Sequence, residues 1–275
     1  MRRWLLALAL FAACAVSLGF LVLPMAALFT HQPLGRLVHQ LTTRVVVDAL
    51  ELSLETSAIA QAAILLLGTP TAYLIASRRF PLRSLAITLL ELPLVLPPAV
   101  AGIGLLVAFG RVGLLGSTFD RLGVDVAYNR SAVVLAVAFV ASPLYVRQAI
   151  ASFEAVDTNL VAASRTLGAG PVRTFFRIVL PAARGGLAAG AALSLARGLG
   201  EFGATIMFAG SLQGVTQTLP LAIYAEFGSD FDVAVTISAL FVVLTAAILL
   251  SLKLGSLWPR WTRSSPFRFA PSSSS

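Results

Sequence analysis

Apolar residues in this chain run in blocks too long for a soluble core. Residues 4–29 contain no Asp, Glu, Lys or Arg, and 56–77 and 233–252 are equally free of charge. The block 84–110 carries one acid, Glu91, and 131–146 extends past Arg147 to about residue 151. The block 185–209 is unusual in holding both Arg197 and Glu201. A bilayer hydrocarbon core needs about 20 mostly apolar helical residues to span it. The pattern therefore predicts an all-α integral membrane domain over 1–257, with six spans at 4–29, 56–77, 84–110, 131–151, 185–209 and 233–254.

Composition agrees. Hydrophobic residues make up 58% of the 275 and charged residues only 12%, against roughly 25% charged in an ordinary soluble domain. Soluble enzymes, disordered linkers and coiled coils are excluded on that ground. Cys14 is the single cysteine, so disulfide scaffolds and cysteine metal clusters are excluded too. The net charge of +8 raises nucleic acid as a partner, but the basic residues are scattered between apolar runs, and loop placement accounts for them. If the N-terminus is cytoplasmic, the inner loops hold Arg2, Arg3, Arg78, Arg79, Arg83, Arg147, Arg165, Arg173, Arg177, Arg184, Lys253, Arg260, Arg263 and Arg268. The outer loops hold Arg36, Arg44, Arg111, Arg121 and Arg130. Positive residues favour the inner side, so both termini are expected in the cytoplasm. Arg2 and Arg3 would also suit a cleaved signal peptide, yet the apolar run that follows exceeds the roughly 7–15 residues of a signal core, and an uncleaved first helix is expected. The Ser-, Pro- and Arg-rich stretch 258–275 reads as a disordered cytoplasmic tail.

The longest inner connection, 152–184, has a pattern of its own. Asp157 suits a helix N-cap, and Leu160, Ala163, Ser164 and Leu167 follow at helical spacing. Gly168 stands where a left-handed C-terminal cap belongs. Pro171 suits the first turn of a second helix, in which Val172, Phe175, Phe176 and Val179 repeat the spacing and which Pro181 is expected to end. Periodicity alone leaves two uses open. The helices lie on the anionic inner leaflet through Arg165, Arg173 and Arg177, or they dock a soluble partner.

Arg197 and Glu201 stand four apart and, if helical, share a face, where each offsets the cost of the other's charge at membrane depth. Gly186, Gly190, Ser194 and Gly198 precede them at four-residue spacing, a seam that admits a close neighbour. The pair either lines or gates a pathway or is a structural salt bridge. Glu91, with Pro93, Pro97 and Pro98 after it, either belongs to such a pathway or lies near the inner interface. The polar stretch 210–218 reads as an outer loop or a re-entrant segment, and Glu226, Asp230 and Asp232 beyond it lack a basic neighbour in sequence.

The residues also carry a resemblance. Ala162-Ala163-Ser164, then Gly168, then Ile178-Val179-Leu180-Pro181 resembles the cytoplasmic signature of bacterial ABC importer permeases, Glu-Ala-Ala, three residues, Gly, nine residues, Ile-x-Leu-Pro. The departure is Ala162, where that family usually has Glu. Glu91-Leu92-Pro93-Leu94-Val95-Leu96-Pro97-Pro98, Gly198-Leu199-Gly200-Glu201-Phe202-Gly203-Ala204-Thr205 and Thr216-Gln217-Thr218-Leu219-Pro220-Leu221 are similar to molybdate permease subunits, with sulfate permeases next. The resemblance implies a type I ABC importer permease that transports molybdate or tungstate, with a sulfate or thiosulfate permease as the alternative. A channel or ion-coupled carrier is the more distant alternative, and it would not need the patterned loop. The resemblance assigns ATPase coupling to Ala162, Ala163, Ser164, Arg165, Leu167, Gly168, Ala169, Gly170 and Pro171, with Phe175, while the polar residues at membrane depth and their neighbours make Glu91, Arg197, Gly200, Glu201, Phe202 and Gly203 the candidates for the translocation pathway. The resemblance also implies a second permease copy, two ATPase subunits, an external molybdate-binding protein and surrounding membrane lipid, and no nucleic acid.

Hydrolysis cannot reside on this chain. A phosphate-binding loop needs Gly-x-x-x-x-Gly-Lys followed by Ser or Thr, and the single lysine, Lys253, follows Ser251-Leu252. ATP and Mg²⁺ are therefore expected on the partner. No cofactor or metal is expected here, since His31 and His39 lack zinc-site spacing. No Gly-x-Ser-x-Gly elbow suggests a hydrolase either.

Overall fold

The structure is a computed structural model describing residues 2–78, 80–123 and 125–257. The stretch 258–275, read as a tail, lies outside the described residues. Those described form helices and connections in the order α1 (Arg2–Thr30), α2 (Leu34–Gln40), α3 (Arg44–Ser77), α4 (Arg83–Val95), α5 (Pro98–Phe109), α6 (Gly116–Arg121), α7 (Arg130–Glu154), α8 (Thr158–Thr166) and α9 (Pro171–Thr174). A π-turn, Phe175–Val179, leads into α10 (Leu180–Leu199), followed by α11 (Gly203–Ala209), α12 (Leu219–Phe227) and α13 (Phe231–Leu257).

Five of these are long and apolar enough to cross a membrane, and α4 with α5 makes a sixth if the bent pair counts as one span. The bend is 112°, so the block 84–110 is not one straight helix. Leu96 and Pro97 are both extended there. Pro97 and Pro98 supply no N–H, and each forces its predecessor out of helical geometry. The fifth span also departs from expectation. It starts at Pro171 and stops at Leu199, so 185–209 crosses a break instead of tracing one helix. Pro181 does not end the second hairpin helix. The Leu180 N–H donates to the Phe175 carbonyl, five residues back. That wider turn accommodates a proline that an α-helical ladder would not. The connection expected over 152–184 is therefore not a separate loop throughout, because the helix that opens at Pro171 runs on without a break into α10.

The core lies where α3, α7 and α10 pack together. Tyr145 of α7 is buried, and its hydroxyl lies 2.6 Å from Thr69 Oγ1 of α3. The small-residue seam of α10 faces α7. A Cβ added at Gly190 would stand 2.9 Å from Gln148 Cβ, and one at Gly198 would stand 2.8 Å from Val137 Cγ1. By contrast, no residue in the apolar stretch of α1 is buried. That helix presents Phe11, Phe20 and Leu23 outward, a surface that suits hydrocarbon and not water.

Two ion pairs pin α4 against α7. Arg83 pairs with Glu154, and Glu91 lies 3.4 Å from Arg147. At its start, α7 is capped by Asn129, whose side chain accepts from the Ser131 and Ala132 N–H groups. Asn129→Ala is expected to lower stability by about 1 kcal/mol, read as a shift in the thermal unfolding of the purified chain.

Candidate functional site

Two places concentrate the unusual residues: the hairpin α8–α9 at one end of the bundle, and the break between α10 and α11 within it.

The hairpin is built by its caps. Asp157 Oδ1 accepts from the Asn159 N–H at 2.9 Å and starts α8. At the other end Gly168 has φ +79°, the left-handed region that favours glycine. The Gly168 N–H reaches Arg165 O at 3.0 Å and the Ala169 N–H reaches Ser164 O at 3.1 Å, the pair of bonds that closes a helix C-terminus before a reversal. Pro171 then opens α9. The side chains divide into two groups. Ser164 and Thr174 are buried, with their hydroxyl oxygens 3.0 Å apart. Phe175 packs inward, 4.6 Å from Tyr73 between ring centroids. These members hold the hairpin together and do not face a partner. Leu160, Leu167, Val172 and Phe176 project outward instead, Leu167 being 87% exposed. Ala162, Ala163, Arg165, Gly168 and Gly170 are exposed beside them. The tip is thus an apolar patch on a closed, braced turn.

At the break, α10 ends at Leu199 and Gly200 is its C-cap. Arg197 and Glu201 do meet, 2.7 Å apart, but Glu201 lies beyond the helix end, so they share no continuous helical face. The second oxygen of Glu201 accepts the Ala204 N–H at 2.8 Å. One carboxylate therefore ties the end of α10 to the N-terminus of α11, whose partial positive charge favours it. The Glu201 side chain is 1% exposed and that of Arg197 is 33%. Phe202 lies against Tyr224 with the rings tilted by 54° and their centroids 5.3 Å apart.

The break in α10–α11 packs on the break in α4–α5. A Cβ on Gly203 would stand 2.6 Å from Pro98 Cβ, and one on Gly102 would stand 2.6 Å from the Ala204 carbonyl oxygen. Those contacts leave room for hydrogen alone.

Glu91 is not part of this cluster, since its partner is Arg147 of α7. Asp232 likewise has neighbours the linear sequence hid, with Arg36 at 3.3 Å and His31 at 3.5 Å. The stretch 210–218 is not a solvated outer loop throughout. Thr216, Gln217 and Thr218 are buried, and Ser53 Oγ accepts from the Leu219 N–H at 2.7 Å.

Sequence reasoning passed over Gln61 and Thr205. Ser194 of the α10 seam donates to Gln61 Oε1 at 2.9 Å. The amide nitrogen of Gln61 and the hydroxyl of Thr205 are buried without a partner among the described residues. Such groups are costly unless something else satisfies them. The one available signal was Gln61 itself, a strong polar side chain inside a charge-free block. Among the described residues, no group of three or more His, Cys, Asp or Glu is placed to hold a metal.

Comparisons with known proteins identify the family and the fold. Over residues 64–261 the chain matches the family described as binding-protein-dependent transport system inner membrane component. It is 43% identical over 233 residues to the molybdenum transport system permease protein ModB of Mycobacterium tuberculosis, covering 84% of this chain and 88% of that protein. It is 34% identical over 221 residues to the sulfate transport system permease protein CysW of Synechococcus elongatus, covering 79% and 77%. A chain of a bacterial alginate ABC transporter, solved in complex with an alginate pentasaccharide-bound periplasmic protein, superposes with a TM-score of 0.75 over 95% of this chain and 96% of that one. At 18% identity that likeness concerns the fold alone. The bent proline span, the braced hairpin and the family match together place this chain in the binding-protein-dependent transport system inner membrane component family, the permease subunits of type I ABC importers.

Proposed function

We propose that this chain is the membrane-spanning subunit of an ATP-driven importer for an oxyanion, molybdate above all, with tungstate as a second substrate. The 43% identity over 233 residues to a molybdenum transport system permease supports the substrate. The observation that carries the coupling is the hairpin tip, in which Leu167, Val172 and Phe176 are exposed on a turn whose inner side is fully braced.

Two copies form the pathway in a bacterial cell membrane, with both termini cytoplasmic. Two ATPase subunits grip the hairpins and an external oxyanion-binding protein delivers the cargo. ATP and Mg²⁺ act on the partner. The mechanics follow from α9, the π-turn and α10 being one continuous helix. Displacing the hairpin displaces α10 as a rod, and the far end of that rod is the Arg197–Glu201 junction. Because the Glu201 carboxylate holds both α10 and α11, a shift of α10 reaches α11 and the Gly203–Pro98 contact behind it. The pathway opens to one side or the other as the two breaks slide. Arg197 is partly exposed and already paired, so it attracts an anion without caging it, and selectivity rests mainly with the external protein.

Sulfate is the competing cargo, favoured by the sulfate permease relative. Vesicles containing the chain with its ATPase and binding protein should take up molybdate only with ATP, and excess sulfate should leave that uptake unchanged. Competition by sulfate at concentrations equal to molybdate would reassign the substrate. Uptake without ATP would remove the importer reading.

A further inference from the structure

At the hairpin end, a cavity of about 560 Å³ opens between α8 and the ends of α3, α4 and α7. Arg78, Arg83 and Arg165 line it, and Glu154 is the single carboxylate on its wall. That carboxylate is taken by Arg83, whose Nε also donates to Ile75 O at 3.0 Å. Among the described residues, no carboxylate lies within 4.0 Å of Arg78 or Arg165. Ala162, on the same wall, offers only a methyl group. Two positive charges therefore face one cavity with no counter-charge from the chain. Ser77 and Thr158 add hydroxyl donors, and Tyr73 and Phe153, with ring centroids 5.5 Å apart, add aromatic surface to the lining.

The position adds to the chemistry. The cavity lies where α3 ends and α4 begins, so it sits at the depth of lipid head groups if these helices span the membrane. Guanidinium groups bind phosphate through paired N–H donors, and clustered arginines beside membrane spans attract anionic lipids. Aromatic surface beside cationic groups matches a molecule that joins a phosphate to a glyceride.

We propose that this cavity is a phosphate site occupied by the head group of an anionic phospholipid, with Arg78 and Arg165 donating to the phosphate and Tyr73 and Phe153 packing against the glycerol backbone. Arg165 belongs to the hairpin and Arg78 to the end of α3, so the head group bridges the two and restrains the hairpin. The inference rests on the membrane-spanning reading of α3, α4 and α7 and not on the identity of the transported anion.

Native mass spectrometry of the full chain in detergent tests it, with phosphatidylglycerol, phosphatidylcholine or inorganic phosphate added. Phosphatidylglycerol should be retained in preference to phosphatidylcholine. Arg78→Gln combined with Arg165→Gln should weaken that retention about thirtyfold, while Arg121→Gln, the removal of one positive charge in α6, leaves it unaltered. Ala162→Glu, which supplies an internal carboxylate without removing an arginine, should weaken it as well and serves if the double variant does not fold. Equal retention of the two lipids, or an equal loss in Arg121→Gln, overturns the proposal. Inorganic phosphate binding as tightly as the lipid makes a free anion the occupant and removes the lipid assignment. If the ATPase, and not lipid, shields Arg78 and Arg165 from chemical modification, the counter-charge is a protein carboxylate and the site is not a lipid site. ATP-driven uptake that persists through any of these failures leaves the importer reading intact.

Discussion

Glu201→Leu is expected to destabilise the chain by about 3 kcal/mol, the lower end of the range for removing one partner of a buried ion pair. The lower end applies because Arg197 keeps partial access to its surroundings, at 33% exposure. Two losses combine. Arg197 is left without its partner inside an apolar span, and the Ala204 N–H loses its acceptor at the start of α11. Thermal unfolding and the yield of membrane-inserted protein read the effect. Glu201→Gln separates the two losses, because an amide oxygen still accepts from Ala204 while the charge is gone. The Gln variant should keep only the part of the stability that the Ala204 hydrogen bond supplies, falling between the parent and the Leu variant, and show altered substrate-stimulated hydrolysis in the assembled complex. Arg197→Met together with Glu201→Leu should recover most of the lost stability, since replacing a whole buried pair by apolar groups is close to neutral. A Leu variant as stable as the parent would mean that the junction is not held by this carboxylate. A Gln variant that changes only folding yield would leave the pair a structural brace.

Gly168→Val should abolish co-purification with the ATPase subunit. No atom lies within 4 Å of where its Cβ would be, so crowding has no part in the expected effect. The cause is backbone alone. At φ +79° an L-residue pays about 1–2 kcal/mol, and a β-branched one more. The relaxed chain would break the Ala169 N–H to Ser164 O bond and splay α8 from α9. Gly168→Asn tests this reasoning, because Asn tolerates the left-handed region. It should retain most of the binding that Val loses. Val co-purifying like the parent would place the docking surface elsewhere.

The hairpin was the most legible part of the molecule. Its determinants are local: a capping carboxylate at Asp157, a glycine at 168 and a proline at 171, each acting on backbone within a few residues. What the periodicity concealed was direction. Leu160 and Leu167 share a face with Ser164, yet Ser164 is buried and the leucines are exposed, because Thr174 of the returning helix claims the serine. Phe175 and Phe176 look alike in sequence. Only the position of Tyr73, about a hundred residues earlier, decides that Phe175 turns inward.

The break was legible in content and not in shape. Arg197 and Glu201 stand out against their apolar surroundings, and their four-residue spacing suggested a helix face. The chain instead stops its helix at Leu199 and uses the same two residues to span the gap. Glu91 misled in the opposite way. It reads as a lone acid, and its partner Arg147 lies on another helix, visible only once α4 and α7 are packed.

Hydrophobicity and local backbone chemistry are properties of short stretches, so the sequence by itself determined that this is a membrane protein, roughly where its spans lie, and that a capped, glycine-turned hairpin interrupts them. Which helix meets which is a matter of shape complementarity between distant surfaces. The tertiary structure alone therefore decided that the two broken helices pack break against break through Gly203 and Pro98. It alone decided that Glu201 joins two helices and that three arginines converge beneath the hairpin. Charges find partners, and glycines find neighbours, only after the chain has brought remote segments within a few ångströms.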